Sequence, residues 1–126
     1  MVLLMIKRDG KMPVYREIMF VIAGKIVAGD LVAGQRIPSI RNLALEFKVN
    51  PNTVQRALLE LEREDLLYTD RTNGKYITQD EEVLHRLRHE MTQHFVNEII
   101  EEAQIMGFEK EEVIEIIREN WEGEKK

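Results

Sequence analysis

The 126-residue sequence predicts a mainly α-helical α+β fold, because three patterns follow one another along the chain. Apolar residues recur every three or four positions in three short segments between residues 13 and 65. An Asn73-Gly74 pair then separates two short apolar runs, which is typical of a β-hairpin. A long helical stripe and a shorter helix account for the remainder.

The first helix is predicted to have Pro13 in its first turn, an apolar stripe from Tyr15 onward and its end at Gly29. Its inner face is a stripe of three residues, Ile18, Ile22 and Ile26. A loop is predicted over residues 29–38, and Ser39 is a suitable cap for a second helix. The predicted inner face of that second helix is Ile40, Leu43, Ala44 and Phe47.

Asn50 and Pro51 predict the start of a third helix after a brief turn, since asparagine caps helices and proline suits the first helical position. This helix is expected to continue to about Asp65, and its predicted inner residues are Val54, Ala57, Leu58 and Leu61. Residues 66–69 and 75–78 are predicted to be the two strands of the hairpin. The opening residues 2–7 are predicted to form a short strand or an arm.

A continuous apolar stripe predicts one long helix from about Asp80 to Met106, ended by Gly107. A last helix is expected over residues 109–121, with Val113, Ile116 and Ile117 facing inward. Because a small domain would not cover so long a stripe by itself, we expect a homodimer, although these helices could instead pack back on the first domain. The predicted interface residues are Leu84, Leu87, Met91, Phe95, Ile99 and Met106.

Charge divides the chain into two segments. Residues 1–78 hold 12 Lys and Arg against 9 Asp and Glu, a net charge of +3, whereas residues 79–126 hold 6 against 14, a net charge of −8. Residues 1–78 could therefore contact a polyanion such as DNA, whereas residues 79–126 are predicted to be a helical segment for dimerisation or for solubility. No run of apolar residues is long enough to span a membrane, and the chain has no cysteine, so a cytoplasmic protein without disulfides is expected.

The order helix, helix, tight turn, helix, hairpin describes a winged helix-turn-helix, whose third helix fits the major groove of double-stranded DNA. Asn52, Thr53, Gln55 and Arg56 are predicted to point outward at the start of that helix. Asn and Gln side chains can pair with adenine, and Arg with guanine. A structural role competes for two residues: Asn50 is more simply a cap, and Thr53 could merely occupy the first turn.

Further basic residues are predicted to contact the DNA backbone. Ser39 and Arg41, at the start of the second helix, are candidates for contact with DNA. Arg41 could bind phosphate, reach a base, or instead form an ion pair with Glu46 or Glu17. Arg36 is a further candidate. At the hairpin tip the candidates are Arg71, Gly74 and Lys75.

Four segments together resemble the GntR family of bacterial transcription regulators. They are GDL at residues 29–31, GQRIPSIRNLA at 34–44, VNPNTV at 49–54, and LLELERE with the following leucines at 58–67. The NPNTV segment and the short helical C-terminal part resemble the YtrA-like branch. The resemblance covers residues 13–78 and implies a dimeric repressor of a palindromic operator. It also implies DNA contacts at Arg41, Asn50, Asn52, Thr53, Arg56 and Gly74.

The chain departs from the family pattern at several positions. Ile37 replaces a common Leu, Ile40 replaces an acidic residue, and Asp65 replaces a Gly between the third helix and the wing. Asp adopts the left-handed conformation more readily than most residues, so we expect the turn to persist. Gln55 stands where some members place a base-contacting Arg, which leaves the bases that are read open.

Other classes of function have weaker support. Glu82, His85 and His89 could share a helix face, but a metal site needs another firm ligand, so no metal or cofactor is expected. No glycine-rich phosphate loop or nucleophile with a neighbouring base indicates an enzyme. The alternative function is a winged-helix module that binds proteins. A small-molecule effector, if there is one, is unidentified.

Overall fold

The computed structural model describes residues 12–122, and over that range the chain forms five helices and one two-stranded sheet. In chain order the elements are α1 (Val14–Ala28), α2 (Ile40–Phe47), α3 (Pro51–Arg63), β1 (Leu67–Thr69), β2 (Lys75–Ile77), α4 (Glu81–Ile105) and α5 (Lys110–Asn120). The predicted winged helix-turn-helix is confirmed. The predicted strand or arm at residues 2–7 lies outside the described residues.

Local signals set most of the helix boundaries. Ser39 and Asn50 cap α2 and α3, and Pro51 occupies the first turn of α3, as predicted. Pro13 lies at the N-cap of α1 and not within its first turn. Gly29 ends α1 and Gly107 follows α4, both with positive φ, because glycine has no Cβ to obstruct the left-handed conformation.

The hydrophobic core is built around α3. Its four predicted inner residues are almost completely buried: Val54, Ala57, Leu58 and Leu61. The predicted stripe of α1 is also buried, but on α2 only Leu43 and Ala44 are, whereas Ile40 and Phe47 lie partly exposed against the core. Each fully buried aliphatic side chain of this kind contributes about 1.5–3 kcal/mol relative to an exposed one.

The wing is an antiparallel hairpin with the pairs Leu67↔Ile77, Tyr68↔Tyr76 and Thr69↔Lys75. The strands are connected by five residues, 70–74, of which Asn73 has a positive φ and Gly74 does not. The Asp70 carboxylate accepts hydrogen bonds from the backbone N–H groups of Thr72 (2.9 Å) and Gly74 (3.3 Å) and organises this turn.

Part of the predicted loop pairs with the wing. The Ile37 N–H donates to the Lys75 carbonyl at 2.9 Å, and the Ile77 N–H donates to the Gln35 carbonyl at 2.9 Å. Arg36 thereby forms an isolated antiparallel bridge with Tyr76 of β2. The sequence did not predict it, because a segment between Gly34 and Pro38 lacks the alternation that marks a longer strand.

The first compact unit extends to residue 89, beyond the predicted boundary at 78. Val83 belongs to the buried core of this unit, and Leu84 and Leu87 pack partly against it. The beginning of α4 is thus a structural part of the winged domain, and these two leucines, predicted at a dimer interface, have contacts within their own chain.

The second compact unit begins at residue 90 and contains the rest of α4 and all of α5. Met91 and Ala103 are buried, whereas Ile99 and Met106 are 47% and 64% exposed. Ile116 and Ile117, which were predicted to face inward, are 46% and 42% exposed within the single chain, and Val113 is half-buried, so the predicted inner face of α5 is not buried by the rest of this chain. None of the helices described between residues 12 and 122 is long and apolar enough to cross a membrane.

Candidate nucleic-acid interface

The turn between α2 and α3 is tight. Lys48 adopts the left-handed conformation at φ 59°, and the Val49 N–H donates to the Ala44 carbonyl at 3.1 Å. The left-handed Lys48 and this hydrogen bond end α2. Only three residues, Lys48 to Asn50, separate it from α3. The two helices thus form the compact helix-turn-helix that can present α3 to a DNA groove.

The first turn of α3 combines a structural cap with outward polar side chains. The Asn50 side-chain oxygen accepts a hydrogen bond from the Asn52 N–H at 2.7 Å, so the predicted capping role of Asn50 is confirmed. The side chains of Asn52, Gln55 and Arg56 are exposed, and Thr53 is half-buried. Three side chains capable of hydrogen bonds to base edges therefore lie on the solvent side of a fixed helix start.

Arg56 has a partner that the sequence did not reveal. Its guanidinium carbon lies 4.1 Å from the centroid of the Tyr15 ring on α1. A cation over an aromatic face is stabilised by about 0.5–1 kcal/mol at an exposed site. This contact places the Arg56 guanidinium over the Tyr15 ring, and it joins the start of α1 to the outward face of α3.

The start of α2 presents a basic residue beside a helix cap. The Ser39 hydroxyl oxygen accepts a hydrogen bond from the Asn42 N–H at 3.1 Å. Arg41 is exposed and forms no hydrogen bond or ion pair with another residue of the range 12–122. The alternative prediction, an ion pair from Arg41 to Glu46 or Glu17, is therefore not realised within that range.

At the wing, Arg36 lies against Gly74. A Cβ added to Gly74 would be 2.9 Å from Arg36 Nε, closer than real Cβ contacts come. The buried glycine thus makes room for the guanidinium on the wing turn. Arg71, at the tip, is exposed and has no polar partner among the described residues.

Lys75 is placed differently from the other predicted wing cations. Its ammonium lies 2.9 Å from Glu62 Oε1 on α3 and donates to the Thr69 hydroxyl at 2.8 Å. The hydrogen bond from Lys75 is the main cause that holds the pKa of Glu62 below its ordinary value of 4.5. Arg36 and Arg71 are thus exposed on the wing, whereas the Lys75 charge is balanced from within the domain.

The structure therefore groups the predicted residues into three places. Asn52, Gln55 and Arg56 lie at the start of α3, Arg41 at the start of α2, and Arg36 with Gly74 on the wing. Sequence reasoning missed Tyr15, Glu62 and Thr69, since each acts through a partner that is distant in sequence. On the outer face of the wing, Tyr68 and Tyr76 stack with ring centroids 5.6 Å apart.

Among residues 12–122 no group of three His, Asp or Glu side chains could hold a metal ion. The exposed side chains at the starts of α2 and α3 and on the wing include the cations Arg36, Arg41, Arg56 and Arg71 and the amides of Asn52 and Gln55, which suit phosphates and base edges.

Comparison with known proteins also indicates a DNA-binding protein. Residues 14–77 match the family described as "Bacterial regulatory proteins, gntR family". The chain is 33% identical over 111 residues to the uncharacterized HTH-type transcriptional regulator YhcF of Bacillus subtilis, covering 88% of this chain and 92% of that protein. It is also 33% identical over 108 residues to the HTH-type transcriptional repressor YtrA of Bacillus subtilis, covering 85% and 83% of the two chains.

Solved structures extend the likeness to three dimensions. A GntR family transcriptional regulator from Listeria monocytogenes superposes with a TM-score of 0.80 at 35% identity, covering 88% of this chain and 97% of that one. The DNA-binding domain of AraR in complex with its operator ORX1 superposes with a TM-score of 0.51 at 27% identity, covering 53% and 81%. The chain belongs to the GntR family of DNA-binding transcription regulators and is of the YtrA-like type.

Proposed function

We propose that this regulator represses transcription by binding a specific operator through the start of α3. The observation that carries the proposal is the division of α3 between a buried face and an outward polar turn of Asn52, Gln55 and Arg56. In the major groove, the amide side chains can pair with adenine and the guanidinium with guanine. A protein held in this way on a promoter blocks the access of the polymerase.

Contacts to phosphate would fix the position of α3 in the groove. Arg41, Arg36 and Arg71 are exposed cations on the three elements that surround or follow α3, which is where backbone contacts are needed. The amide groups at the start of α2, next to Ser39, favour an anion as well. In this assignment Asn50 and Thr53 support the helix start, and the base contacts come from the side chains around them.

We further propose that the active species is a homodimer. Several large apolar side chains of the second unit are exposed, among them Val96 (44%), Ile99 (47%), Ile100 (43%), Ile105 (79%) and Met106 (64%). Exposed apolar side chains in such number favour burial against a partner, and an identical partner gives a two-fold symmetric protein. Such a dimer would place its two α3 helices on the two halves of a palindromic operator. A protein with this role works in the cytoplasm, where a prokaryotic chromosome lies.

Fluorescence anisotropy tests the proposal. The ligand is a labelled duplex from upstream of the protein's own gene, with a shuffled duplex of the same composition as the control. We expect tight binding to the first duplex only, and an affinity that falls by about 10³-fold or more between 50 and 200 mM salt if six or more phosphates are contacted. Equal, weak binding to both duplexes would contradict an operator at that place.

Variants of α3 and α2 assign the contacts. Arg56→Ala is expected to weaken binding by about 1–3 kcal/mol and to relax the preference for the operator. Arg41→Ala is expected to weaken binding to both duplexes. It should also reduce the slope of log affinity against log salt by about 0.9, the amount that one phosphate contact contributes. Arg63→Ala is the matched control, because Arg63 is an exposed Arg of the last turn of α3 that pairs with Glu60 at 2.8 Å. If Arg56→Ala and Arg41→Ala bind like Arg63→Ala, the assigned contacts are wrong.

A further inference from the structure

The face of the wing that is turned toward α3 changes from apolar to polar along its length. Leu67 and Ile77 form a directly opposed pair that is buried in the core. The next pair on the same face is Thr69↔Lys75, since side chains alternate between the two faces of a strand. The outer end of the wing therefore meets α3 through polar groups, where the apolar contacts have ended.

Glu62 of α3 is the partner of that outer pair. Its Oε1 lies 2.9 Å from Lys75 Nζ, and its Oε2 accepts a hydrogen bond from the Thr69 hydroxyl at 3.0 Å. Lys75 Nζ also donates to the Thr69 hydroxyl oxygen at 2.8 Å, which closes a triangle of three side chains. Both carboxylate oxygens are used, and both strands of the wing are attached to the helix.

The low exposure of its side chain distinguishes Lys75 from a surface cation that is available to bind phosphate. The Lys75 side chain is only 19% exposed and that of Glu62 33%, whereas Arg63, the nearby surface cation of the same helix, is 74% exposed. A contact to phosphate would require Lys75 to leave two hydrogen bonds and to separate from an opposite charge. The backbone carbonyl of Lys75 also accepts the Ile37 N–H, so the residue attaches the segment that carries Arg36.

We propose that Lys75 is a positioning residue and not a phosphate contact. The Glu62–Thr69–Lys75 triangle fixes the outer end of the wing against α3, and this sets where Arg36 and Arg71 meet the DNA backbone while α3 is in the groove. The inference rests on the proposed operator binding. It adds that the Glu62–Lys75 ion pair fixes the distance between the α3 residues that contact the groove and the wing cations that contact phosphate.

The sharp test is Glu62→Gln. Removal of a negative charge near a polyanion strengthens binding if only electrostatics matters, whereas loss of the triangle weakens it. We expect operator affinity to fall by about two- to fivefold, the range available to a partly exposed ion pair, in both Glu62→Gln and Lys75→Gln. Glu64→Gln is the matched control, since it removes an exposed carboxylate at the end of the same helix.

The salt dependence separates the two roles of Lys75. If Lys75 only positions the wing, the slope of log affinity against log salt is the same in Lys75→Gln as in Glu62→Gln, whereas loss of a true phosphate contact makes it lower in Lys75→Gln by about 0.9. The exchanged pair, Glu62→Lys with Lys75→Glu, is expected to recover most of the lost affinity. The proposal is overturned by a slope that is lower in Lys75→Gln than in Glu62→Gln, or by operator binding in Glu62→Gln as tight as in Glu64→Gln.

A measurement without DNA keeps this inference distinct from the proposed function. Amide hydrogen exchange of the free protein is followed at Ile37 and Asp70, whose N–H groups are bonded to the carbonyls of Lys75 and Gly74. Both are expected to exchange about two- to fivefold faster in Glu62→Gln than in Glu64→Gln. Unchanged exchange would refute the attachment of the wing even if the parent binds no operator. Faster exchange together with unchanged operator affinity would refute its part in DNA binding.

Discussion

Asn50 combines a capping role that the structure shows with an approach to DNA that only the family resemblance implies. Its side chain caps α3, and the resemblance to the family also implies an approach to DNA at this position. A cap hydrogen bond satisfies one of the backbone N–H groups that the helix start leaves without a partner. The two roles can be separated, because other residues are able to cap a helix.

Asn50→Ala is expected to lower the free energy of unfolding by about 1 kcal/mol, because it removes the cap. Asn50→Ser should retain most of the stability, since a hydroxyl can accept the same hydrogen bond from the Asn52 N–H. Urea unfolding followed by circular dichroism measures both variants. Equal stability of Asn50→Ala and the parent would show that the cap contributes nothing.

The lowered pKa of Glu62 predicts that the stability of the folded protein depends on pH. Its pKa in the folded protein is below the ordinary 4.5, chiefly because Lys75 donates a hydrogen bond to it. A lowered pKa means that the carboxylate stabilises the folded state above the ordinary value, and that this contribution is lost as the pH falls through the lower folded-state value.

The parent should therefore be more stable than Glu62→Gln near neutral pH, and the difference should shrink as the solution is acidified below the ordinary pKa of 4.5. Urea unfolding at several pH values, with Glu64→Gln as the control, provides the measurement. A difference that stays constant into acid would mean that the charge of Glu62 is not what stabilises the wing.

For single residues, the sequence predicted contacts between neighbours along the chain and missed contacts between residues far apart in sequence. The caps at Ser39 and Asn50 are confirmed, and Asp65 takes the predicted left-handed conformation at φ 67°. Each of these depends on residues two or three positions away. The contacts Arg56–Tyr15 and Lys75–Glu62 join residues far apart in sequence, which no local pattern indicates.

Among the elements, α3 has the clearest separation of a buried face from an exposed one. Neighbouring residues on it have opposite surroundings: Leu58 is 1% exposed and Leu59 is 45% exposed. The helical period that predicted this face is reliable, because four apolar residues at helical spacing leave one consistent inner side. The isolated bridge between Arg36 and Tyr76 could not be predicted, since it depends on where the wing lies.

Leu58→Ala should lower the free energy of unfolding by about 2–5 kcal/mol, because it opens a cavity in the core. Leu59→Ala is the matched control, with the same change in side chain on an exposed neighbour, and is expected to stay within about 0.5 kcal/mol of the parent. Urea unfolding of both proteins measures the contrast. Similar losses in the two variants would contradict the assigned inner face of α3.

For the whole molecule, the sequence predicted two segments of opposite charge, and the structure divides the chain into two compact units at residue 89. Residues 79–89 lie in the first of these units although they follow the wing, because Val83 enters the core. A charge count cannot locate such a boundary, since it says nothing about burial.

The proposed dimer gives the prediction at this scale. Ile99→Glu places a charge among the exposed apolar residues of α4 and is expected to shift the protein from dimer to monomer in analytical ultracentrifugation, because a buried unpaired charge is costly. Glu101→Gln, an exposed change on the same helix, should remain dimeric. A monomeric parent would refute the dimer, and a dimeric Ile99→Glu would place the interface elsewhere.

The division of α3 also has a consequence for how such regulators diverge. The residues that support the fold, Val54, Ala57, Leu58 and Leu61, and those proposed to select bases, Asn52, Gln55 and Arg56, are different positions of one helix. Exchange of the exposed set should change stability by only about 0.5 kcal/mol per residue. New target sequences are thus accessible through few substitutions, and a library randomised at these three positions is a direct route to regulators of chosen promoters.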